Sequence, residues 1–284
     1  MERGVIPRIL AKQHNNGYWE SPTQFYSAKY KGTVWQLIIL AELGADNTDQ
    51  RIENACEFIL QNSQDPESGG FSTRGTSAGG DHDKVIPCLT GNMVLSLIRL
   101  GYLDDPGVQK GINWITTCQR FDDRIEKRPR GWPYDRWQNC WGKHTCHMGV
   151  VKALKALAEI PVNKRSHKVK QTIEKGVEYL LNHHIYKKSH DLTQISKPKW
   201  LQLGFPWMAN TDVLEILEIL TKLGYKEDRM QEAVDLVKSK QDAEGKWILE
   251  STYNGRFQTN IEQKGRQSKW VTLNALKALK KFYT

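Results

Sequence analysis

The chain has 284 residues, a formal net charge of +9 and a pI near 9.2. Hydrophobic residues make up 39% of it, charged residues make up 26%, and the mean hydropathy is -0.61, which is the balance of a soluble globular protein. No run of about 18 apolar residues occurs, so the sequence predicts no transmembrane segment. The positive charge favours an anionic partner, whereas scattered lysines and the lack of a known motif argue against nucleic acid.

The first residues and the cysteines indicate a cytoplasmic protein. The start, M-E-R-G-V-I-P-R-I-L, carries charges and has no uninterrupted apolar core, so we expect no secretory signal. Five cysteines, an odd number, fit reduced thiols better than a disulfide framework. We therefore expect a cytoplasmic location.

A pattern recurs along the chain: the apolar end of a helix, a Gln, a few polar residues, a Gly and then an aromatic residue. It reads I-L-A-K-Q-H-N-N-G-Y-W near the start and V-K-S-K-Q-D-A-E-G-K-W near the end, with a degenerate copy at Y-L-L-N-H-H-I-Y. Similarity at intervals of roughly 50 to 65 residues is typical of a repeat architecture. The residues that mark the register are Gln13, Gln64, Gln119, His184 and Gln241.

Two kinds of helix alternate between these marks. Segments such as C-L-T-G-N-M-V-L-S-L-I-R-L-G are apolar nearly all round, whereas D-Q-R-I-E-N-A-C-E-F-I-L and its equivalents have a polar face. An apolar helix must be covered on every side, so we predict one α/α toroid domain over residues 1–284. About five hairpins would place the apolar helices in an inner ring and the amphipathic helices in an outer ring. The predicted inner helices begin near Lys31, Cys88, Cys146, Thr211 and Ser268.

An open solenoid is the alternative to a closed ring. The ends of a solenoid are usually polar caps. The last helix, W-V-T-L-N-A-L-K-A-L, is not polar, and the first, V-I-P-R-I-L, is an outer helix without a partner. Ring closure would pair these two ends.

The Q-x-x-x-G-x-W marks, the helical hairpins and their number resemble the prenyltransferase and squalene-cyclase repeat superfamily. The resemblance covers nearly the whole chain and implies an α/α toroid whose substrates enter the funnel of the ring. The D-x-C pair of zinc-dependent prenyltransferases is missing, and neither D-H-D-K at 81–84 nor N-T-D-V at 210–213 matches the D-x-D-D-T motif of class II cyclases. C-H-M-G at 146–149 is close to the C-H-G string that holds zinc in the related lanthionine cyclases. Because toroids serve many functions, the resemblance fixes no activity.

Thiols and imidazoles converge on one sector of the predicted ring. Zinc takes four ligands, and thiolate sulfur and imidazole nitrogen are among those it prefers. A zinc ion at this place would either activate a substrate thiol or hold a long loop against the ring. The alternative is that the two C-x-x-G helix starts supply small residues where inner helices crowd, and Cys56 and Cys118 have that simple packing interpretation. The candidate zinc ligands are Cys88, Cys140, His144, Cys146, His147 and His82.

Further candidates lie at the predicted rim of the ring. Asp212 and Asp83 are the candidate catalytic residues; Asp212 could donate a proton, with helix capping as the alternative role. Basic residues could hold a diphosphate, and aromatic residues could line an apolar pocket, although packing is the simpler role of the aromatics. The candidate substrate-binding residues are Tyr30, Lys31, Trp207, Arg256, Lys269 and Trp270.

The resemblance, together with the Cys/His cluster and the basic rim, implies a zinc-dependent prenyltransferase-like or terpenoid-cyclase-like enzyme. Its substrate would be an isoprenoid or another lipid-like anionic molecule, and peripheral contact with an anionic membrane surface fits the positive charge. The alternative is a non-catalytic toroid that binds a hydrophobic or anionic ligand or a protein partner, with any zinc serving a structural role.

Overall fold

The computed structural model describes residues 4–123 and 125–284, and most of the regular structure in them is helical. The α-helices of this part of the chain are α1 Val5–Leu10, α2 Thr33–Glu42, α3 Gln50–Asn62, α4 Pro87–Arg99, α5 Pro106–Cys118, α6 Gln138–Trp141, α7 His147–Glu159, α8 His167–Asn182, α9 Val213–Lys222, α10 Gln231–Ser239 and α11 Lys269–Tyr283. Short 3-10 turns cover His82–Lys84, Val162–Lys164, Pro198–Leu201 and Asp228–Met230.

The strands of the described residues are short and form two antiparallel pairs. Strand β1 (Gly75–Thr76) pairs with β2 (Gly79–Gly80), and β3 (Lys187–Lys188) pairs with β4 (Asp191–Ile195) across an irregular register. The mostly helical class predicted from the sequence is confirmed. Within the described residues, no helix has the length and apolar character that a bilayer span needs.

The predicted alternation of helices is also found. The segments predicted as apolar nearly all round form α2, α4, α7, α9 and α11, and the segments with a polar face form α3, α5, α8 and α10. Helix α11 departs from the prediction of a fully covered helix, because Leu273 and Leu276 on it are exposed. The short helix α6 lies in the long insertion before α7 and was not predicted. Apolar periodicity located the long helices because burial of their faces dictates it.

The repeated Gln–Gly–Trp marks are structural turns. Gly17 and Gly245 have positive φ angles of 83° and 78°, which suit a residue without a side chain. The indole N–H of Trp19 donates to a carbonyl of α1 at 2.9 Å, and that of Trp247 donates to a carbonyl of α10 at 2.7 Å. Each tryptophan thus packs the chain that follows a helix back against the end of that helix.

The contacts within the chain divide it into two compact units. Unit 1 contains Met1–Thr172 and Gly255–Thr259, and unit 2 contains Ile173–Asn254 and Asn260–Thr284. In unit 1, α4 packs against α2, α5 and α7, and in unit 2, α9 packs against α10 and α11. The single closed ring expected from the sequence stays a prediction.

Helices α4 and α7 approach each other backbone to backbone. A Cβ atom at Gly91 of α4 would lie 2.5 Å from the carbonyl carbon of Lys152 on α7. A Cβ atom at Gly149 of α7 would lie 3.1 Å from the ring of Pro87. These two glycines are the last residues of the two C-x-x-G strings. The strings therefore mark a tight helix crossing, as the packing alternative proposed.

A buried cluster of charges ties the three apolar helices of unit 1 together. Glu42 at the end of α2 contacts the guanidinium of Arg99 (α4) at 2.9 Å and the ammonium of Lys155 (α7) at 2.5 Å. Arg99 also contacts Glu159 of α7 at 2.7 Å. Burial by itself would raise the pKa of Glu42, but Arg99 and Lys155 outweigh it and lower this pKa to about 2.

Replacing Glu42 with Gln is expected to destabilise the protein by about 3 kcal/mol at pH 7, because the buried charges of Arg99 and Lys155 lose a facing carboxylate. Because the pKa of Glu42 is lowered in the folded state, its carboxylate stabilises the wild-type protein above the ordinary pKa of 4.5. This stabilisation is lost as the pH falls toward 2. Urea unfolding at pH 7 and pH 3 measures both effects, and the gap between the two proteins should shrink at pH 3.

The matched control is Glu57→Gln, which neutralises an exposed glutamate on α3. Its free energy of unfolding should stay within about 0.5 kcal/mol of the wild type. Equal losses in the two variants would contradict a special role for the buried cluster.

Candidate functional site

The first candidate site lies in unit 1, where three thiols meet. Cys88 is the second residue of α4, Cys146 precedes the first residue of α7, and Cys140 lies on α6. The antiparallel bridge between Trp141 and Thr145 places Cys140 and Cys146 opposite each other, and Cys88 is close enough to interact electrostatically with both. The glycine contact between α4 and α7 brings the starts of these helices, and hence their cysteines, to the same place.

The environment keeps the thiols of Cys88 and Cys140 protonated at neutral pH. Burial, reinforced by Cys146, raises the pKa of Cys88 to about 12, while the charge of Lys152 acts in the opposite direction. The hydrogen bond with Cys146 and then burial raise the pKa of Cys140. Burial, together with Cys88 and Cys140, also raises the pKa of the Tyr26 phenol. The thiols of Cys88 and Cys140 are therefore neutral and weakly nucleophilic.

Two of the predicted substrate-binding residues of this unit lie together. The guanidinium carbon of Arg256 lies 4.8 Å from the centroid of the Tyr30 ring, a cation–π distance. The Tyr30 ring is buried and meets the edge of Trp35 at a centroid distance of 5.0 Å. Lys31 has an exposed side chain, and its carbonyl accepts a hydrogen bond from Gln258.

Two of the three imidazoles predicted as ligands, those of His82 and His144, bond to carboxylates. His82 bonds to the buried carboxylate of Asp65 at 2.7 Å and stacks on Trp132 at 4.1 Å. His144 bonds to Asp123 at 2.5 Å. His147 begins α7 and is half-buried.

The predicted catalytic residue Asp83 lies at an exposed position. Its carboxylate forms an ion pair with the exposed side chain of Arg136 at 2.8 Å. Its backbone carbonyl accepts a hydrogen bond from the indole of Trp137. These contacts make Asp83 part of a surface network.

The described residues assemble no metal centre. Across residues 4–123 and 125–284, no three His, Cys, Asp or Glu side chains form a group that could hold a metal ion. Zinc therefore stays a prediction of the sequence.

The second candidate site lies in unit 2 around Asp212, which caps the start of α9. Its Oδ1 atom accepts a hydrogen bond from the backbone N–H of Glu215 at 2.8 Å. Its Oδ2 atom accepts one from the N–H of Gly204 and one from the indole of Trp207, both at 2.7 Å. The side chain therefore has the helix-capping role that was the alternative prediction for Asp212. It is only 2% exposed.

Asp212 lines a pocket with a volume of about 80 Å³. The pocket lies between the loop before α9 and the segment at 251–253. Its aromatic walls are Trp200, Trp207 and Tyr253, and two exposed lysines belong to the same lining, Lys197 and Lys199. Sequence reasoning found Asp212 and Trp207 and missed the other walls, because they follow an irregular hairpin without helical periodicity.

The other two predicted substrate-binding residues lie behind this loop. Trp270 of α11 stacks on Phe205 with a centroid distance of 5.0 Å and an interplanar angle of 7°. The ammonium of Lys269 lies 5.8 Å from the Trp270 ring. Neither residue lines the Asp212 pocket. Trp270 instead packs against the loop before α9 through its stacking on Phe205.

The protonation of Asp212 is set by its burial. Burial raises the pKa of this carboxyl from 3.8 to about 7, and the nearby charge of Glu215 adds to the increase. The hydrogen bonds from Glu215, Trp207 and Gly204 oppose it. At neutral pH the group is therefore about half protonated, which suits a general acid.

Replacing Asp212 with Asn tests this protonation through stability. Because the folded state holds the proton up to about pH 7 and the unfolded state loses it near 3.8, wild-type stability should fall as the pH rises through this interval. The asparagine variant lacks this loss. The free energy of unfolding of the variant, measured relative to that of the wild type, should therefore increase between pH 4 and pH 8 by up to about 4 kcal/mol.

Urea unfolding over this pH range measures the difference, and Asp235→Asn on the exposed face of α10 is the control. The control should follow the wild type at every pH. Parallel stability curves for Asp212→Asn and the wild type would show that Asp212 ionises normally.

Comparison with known proteins gives similarity to solved structures alone. No family model matches the chain, and no curated protein matches its sequence. The type II terpene cyclase MstE from Scytonema in its apo form is 12% identical, with 96% of this chain and 94% of that chain covered and a TM-score of 0.36. A variant of MstE in complex with geranylgeranyl dihydroxybenzoate is 14% identical, with coverages of 98% and 95% and a TM-score of 0.35. A protein from Actinoplanes is 11% identical, with coverages of 98% and 98% and a TM-score of 0.34. Likeness at this level carries no argument about activity.

Proposed function

We propose that the chain is a terpenoid-cyclase-like enzyme in which Asp212 protonates an isoprenoid or another lipid-like anionic substrate. The observation that carries the proposal is a buried carboxyl, with its pKa raised to about 7, in the wall of an aromatic pocket. The repeat marks that resemble the squalene-cyclase superfamily support the same class of chemistry.

The chemistry follows from the environment of the carboxyl. The transferable proton belongs on Oδ1, which accepts one hydrogen bond, since Oδ2 already accepts two. Transfer of this proton to one carbon of a double bond leaves a carbocation at the other carbon. A second double bond of the same chain then forms a carbon–carbon bond to that cation, and final loss of a proton gives a cyclic isomer of the substrate.

The aromatic walls suit a cationic intermediate. The faces of Trp200, Trp207 and Tyr253 carry negative quadrupole charge, which attracts a cation within about 6 Å. Trp200 and Trp207 are nearly buried, so water that would capture the cation is largely excluded from this side.

The dimensions of the pocket limit what it holds. Pockets that enclose a whole drug-sized ligand have volumes of roughly 300 Å³ or more. The Asp212 pocket has about 80 Å³, so it would take the reacting end of the chain and leave the rest outside. The exposed ammonium groups of Lys197 and Lys199 could pair with an anionic group that remains outside.

The capping role of Asp212 favours a second candidate function, a non-catalytic protein that binds a hydrophobic or anionic ligand. A carboxylate that accepts three N–H donors already has a structural purpose at the start of α9. In this case the same pocket would hold the end of a ligand without converting it.

Turnover in heavy water separates the two functions. Purified protein is incubated with linear polyprenyl diphosphates and polyprenyl carboxylic acids in D₂O, and the products are analysed by mass spectrometry. Protonation-initiated cyclisation should give an isomer of the substrate that carries one deuterium at carbon. Asp212→Asn should lower the rate by about 100-fold or more, because it removes the acid.

The exposed carboxylate variant Asp235→Asn should keep the wild-type rate. A substrate retained by the protein without any product would favour the binding function. A product without deuterium, or full activity in Asp212→Asn, would remove Asp212 from the mechanism.

A further inference from the structure

Two cysteines of the first candidate site are held beside each other by separate elements of unit 1. Cys140 lies on α6, Cys146 caps α7, and the antiparallel bridge between Trp141 and Thr145 places the two cysteines opposite each other. Both residues are half-buried, so a small reagent has access to them. A pair of thiols in contact has the proximity that disulfide formation requires.

The position of Cys140 is fixed by its neighbour in sequence. Trp141 is fully buried, and its ring meets Tyr134 edge-on at a centroid distance of 5.3 Å. The buried guanidinium of Arg120 donates hydrogen bonds to the carbonyls of Trp141 and Gly142, at 3.2 and 3.0 Å. Helix α6 is short, but these contacts anchor it and so maintain the pairing of its cysteine with Cys146.

We propose that Cys140 and Cys146 form a dithiol modification site that low-molecular-weight disulfides oxidise to an intramolecular disulfide. One cysteine sulfur attacks the reagent RSSR, forms a mixed disulfide and releases the first RSH. The second cysteine sulfur then attacks the mixed disulfide, forms the Cys140–Cys146 bond and releases the second RSH. Two cysteine thiols are oxidised and one RSSR is reduced to two RSH, so the step needs no other reactant.

The geometry selects this pair among the five cysteines. Cys88 lies near the same sulfur atoms, but the backbone bridge between Trp141 and Thr145 makes Cys140 and Cys146 the adjacent pair. Cys56 is buried on α3, and Cys118 ends α5, so each belongs to a different helix from the cluster. These two cysteines are internal controls for unselective oxidation.

Only a thiolate attacks a disulfide, so oxidation of the pair should be faster at pH 8.5 than at pH 7. The bridge would fix α6 to the start of α7 and remove two thiol protons from the surroundings of Tyr26.

Peptide mapping of the wild-type protein tests the site without any variant. The folded protein is incubated with oxidised glutathione, free thiols are alkylated under denaturing conditions, and the digest is analysed without reduction. The Cys140–Cys146 crosslink should be the dominant product, and Cys56 and Cys118 should be recovered alkylated. Cys88→Ser should give the same crosslink at a rate within about twofold of the wild type.

Cys140→Ser should lose the crosslink and instead retain glutathione on Cys146, which separates a paired site from two independent thiols. A dominant Cys88–Cys146 crosslink in the wild type would overturn the proposal. So would stable glutathione adducts on both Cys140 and Cys146, or thiols that resist oxidation because a metal copurifies with them. This site is in unit 1 and is independent of the function proposed for Asp212.

Discussion

The close crossing of α4 and α7 is the constraint on which unit 1 depends. At Gly91 the two backbones are so near that a methyl group would lie 2.5 Å from a carbonyl carbon of the opposing helix. Helices in contact at this distance must keep a fixed register along their length, because ridges of side chains interlock on either side of the crossing. One end of the pair therefore presents Cys88 and Cys146 together. The other end presents Arg99 and Lys155 to the same carboxylate.

Two buried carboxyls show that burial alone does not determine protonation. Glu42 faces Arg99 and Lys155, and its pKa falls to about 2. Asp212 faces neutral N–H donors and the like charge of Glu215, and its pKa rises to about 7. Desolvation raises the pKa of both carboxyls, and the sign of the nearest charges decides whether the final pKa is lowered or raised. The first carboxyl is thereby limited to a structural role, whereas the second can exchange a proton near neutral pH.

Sequence periodicity predicted the parts of the molecule that burial dictates. The apolar helices, the helices with a wet face and the repeated Gly–Trp turns all follow from local pattern. The C-x-x-G strings also contained the information that Cys88 and Cys146 belong to equivalent helix starts. What brings their helices into contact is the glycine in each string, and the spacing of the cysteines alone did not reveal this.

The sequence did not reveal which polar groups pair across the fold. His82 looked like a ligand because it precedes Cys88, yet the carboxylate that holds it, Asp65, belongs to the turn after α3. The walls of the Asp212 pocket come from the segment that follows the β3–β4 hairpin and from a segment some forty residues after Asp212, near Tyr253. Such pairings depend on tertiary contacts, for which neither helical nor strand periodicity gives a local signal.

The hydrogen bonds to Asp212 connect its structural role with its proposed chemical role. Proton donation leaves a carboxylate, and the N–H groups of Gly204, Trp207 and Glu215 are already directed at its two oxygens. These donors stabilise the charged product without having to reorganise, as preorganised donors do in an oxyanion hole. They also lower a pKa that burial would otherwise raise further. Three donors and burial therefore act on the same carboxyl, and together they set its pKa at about 7.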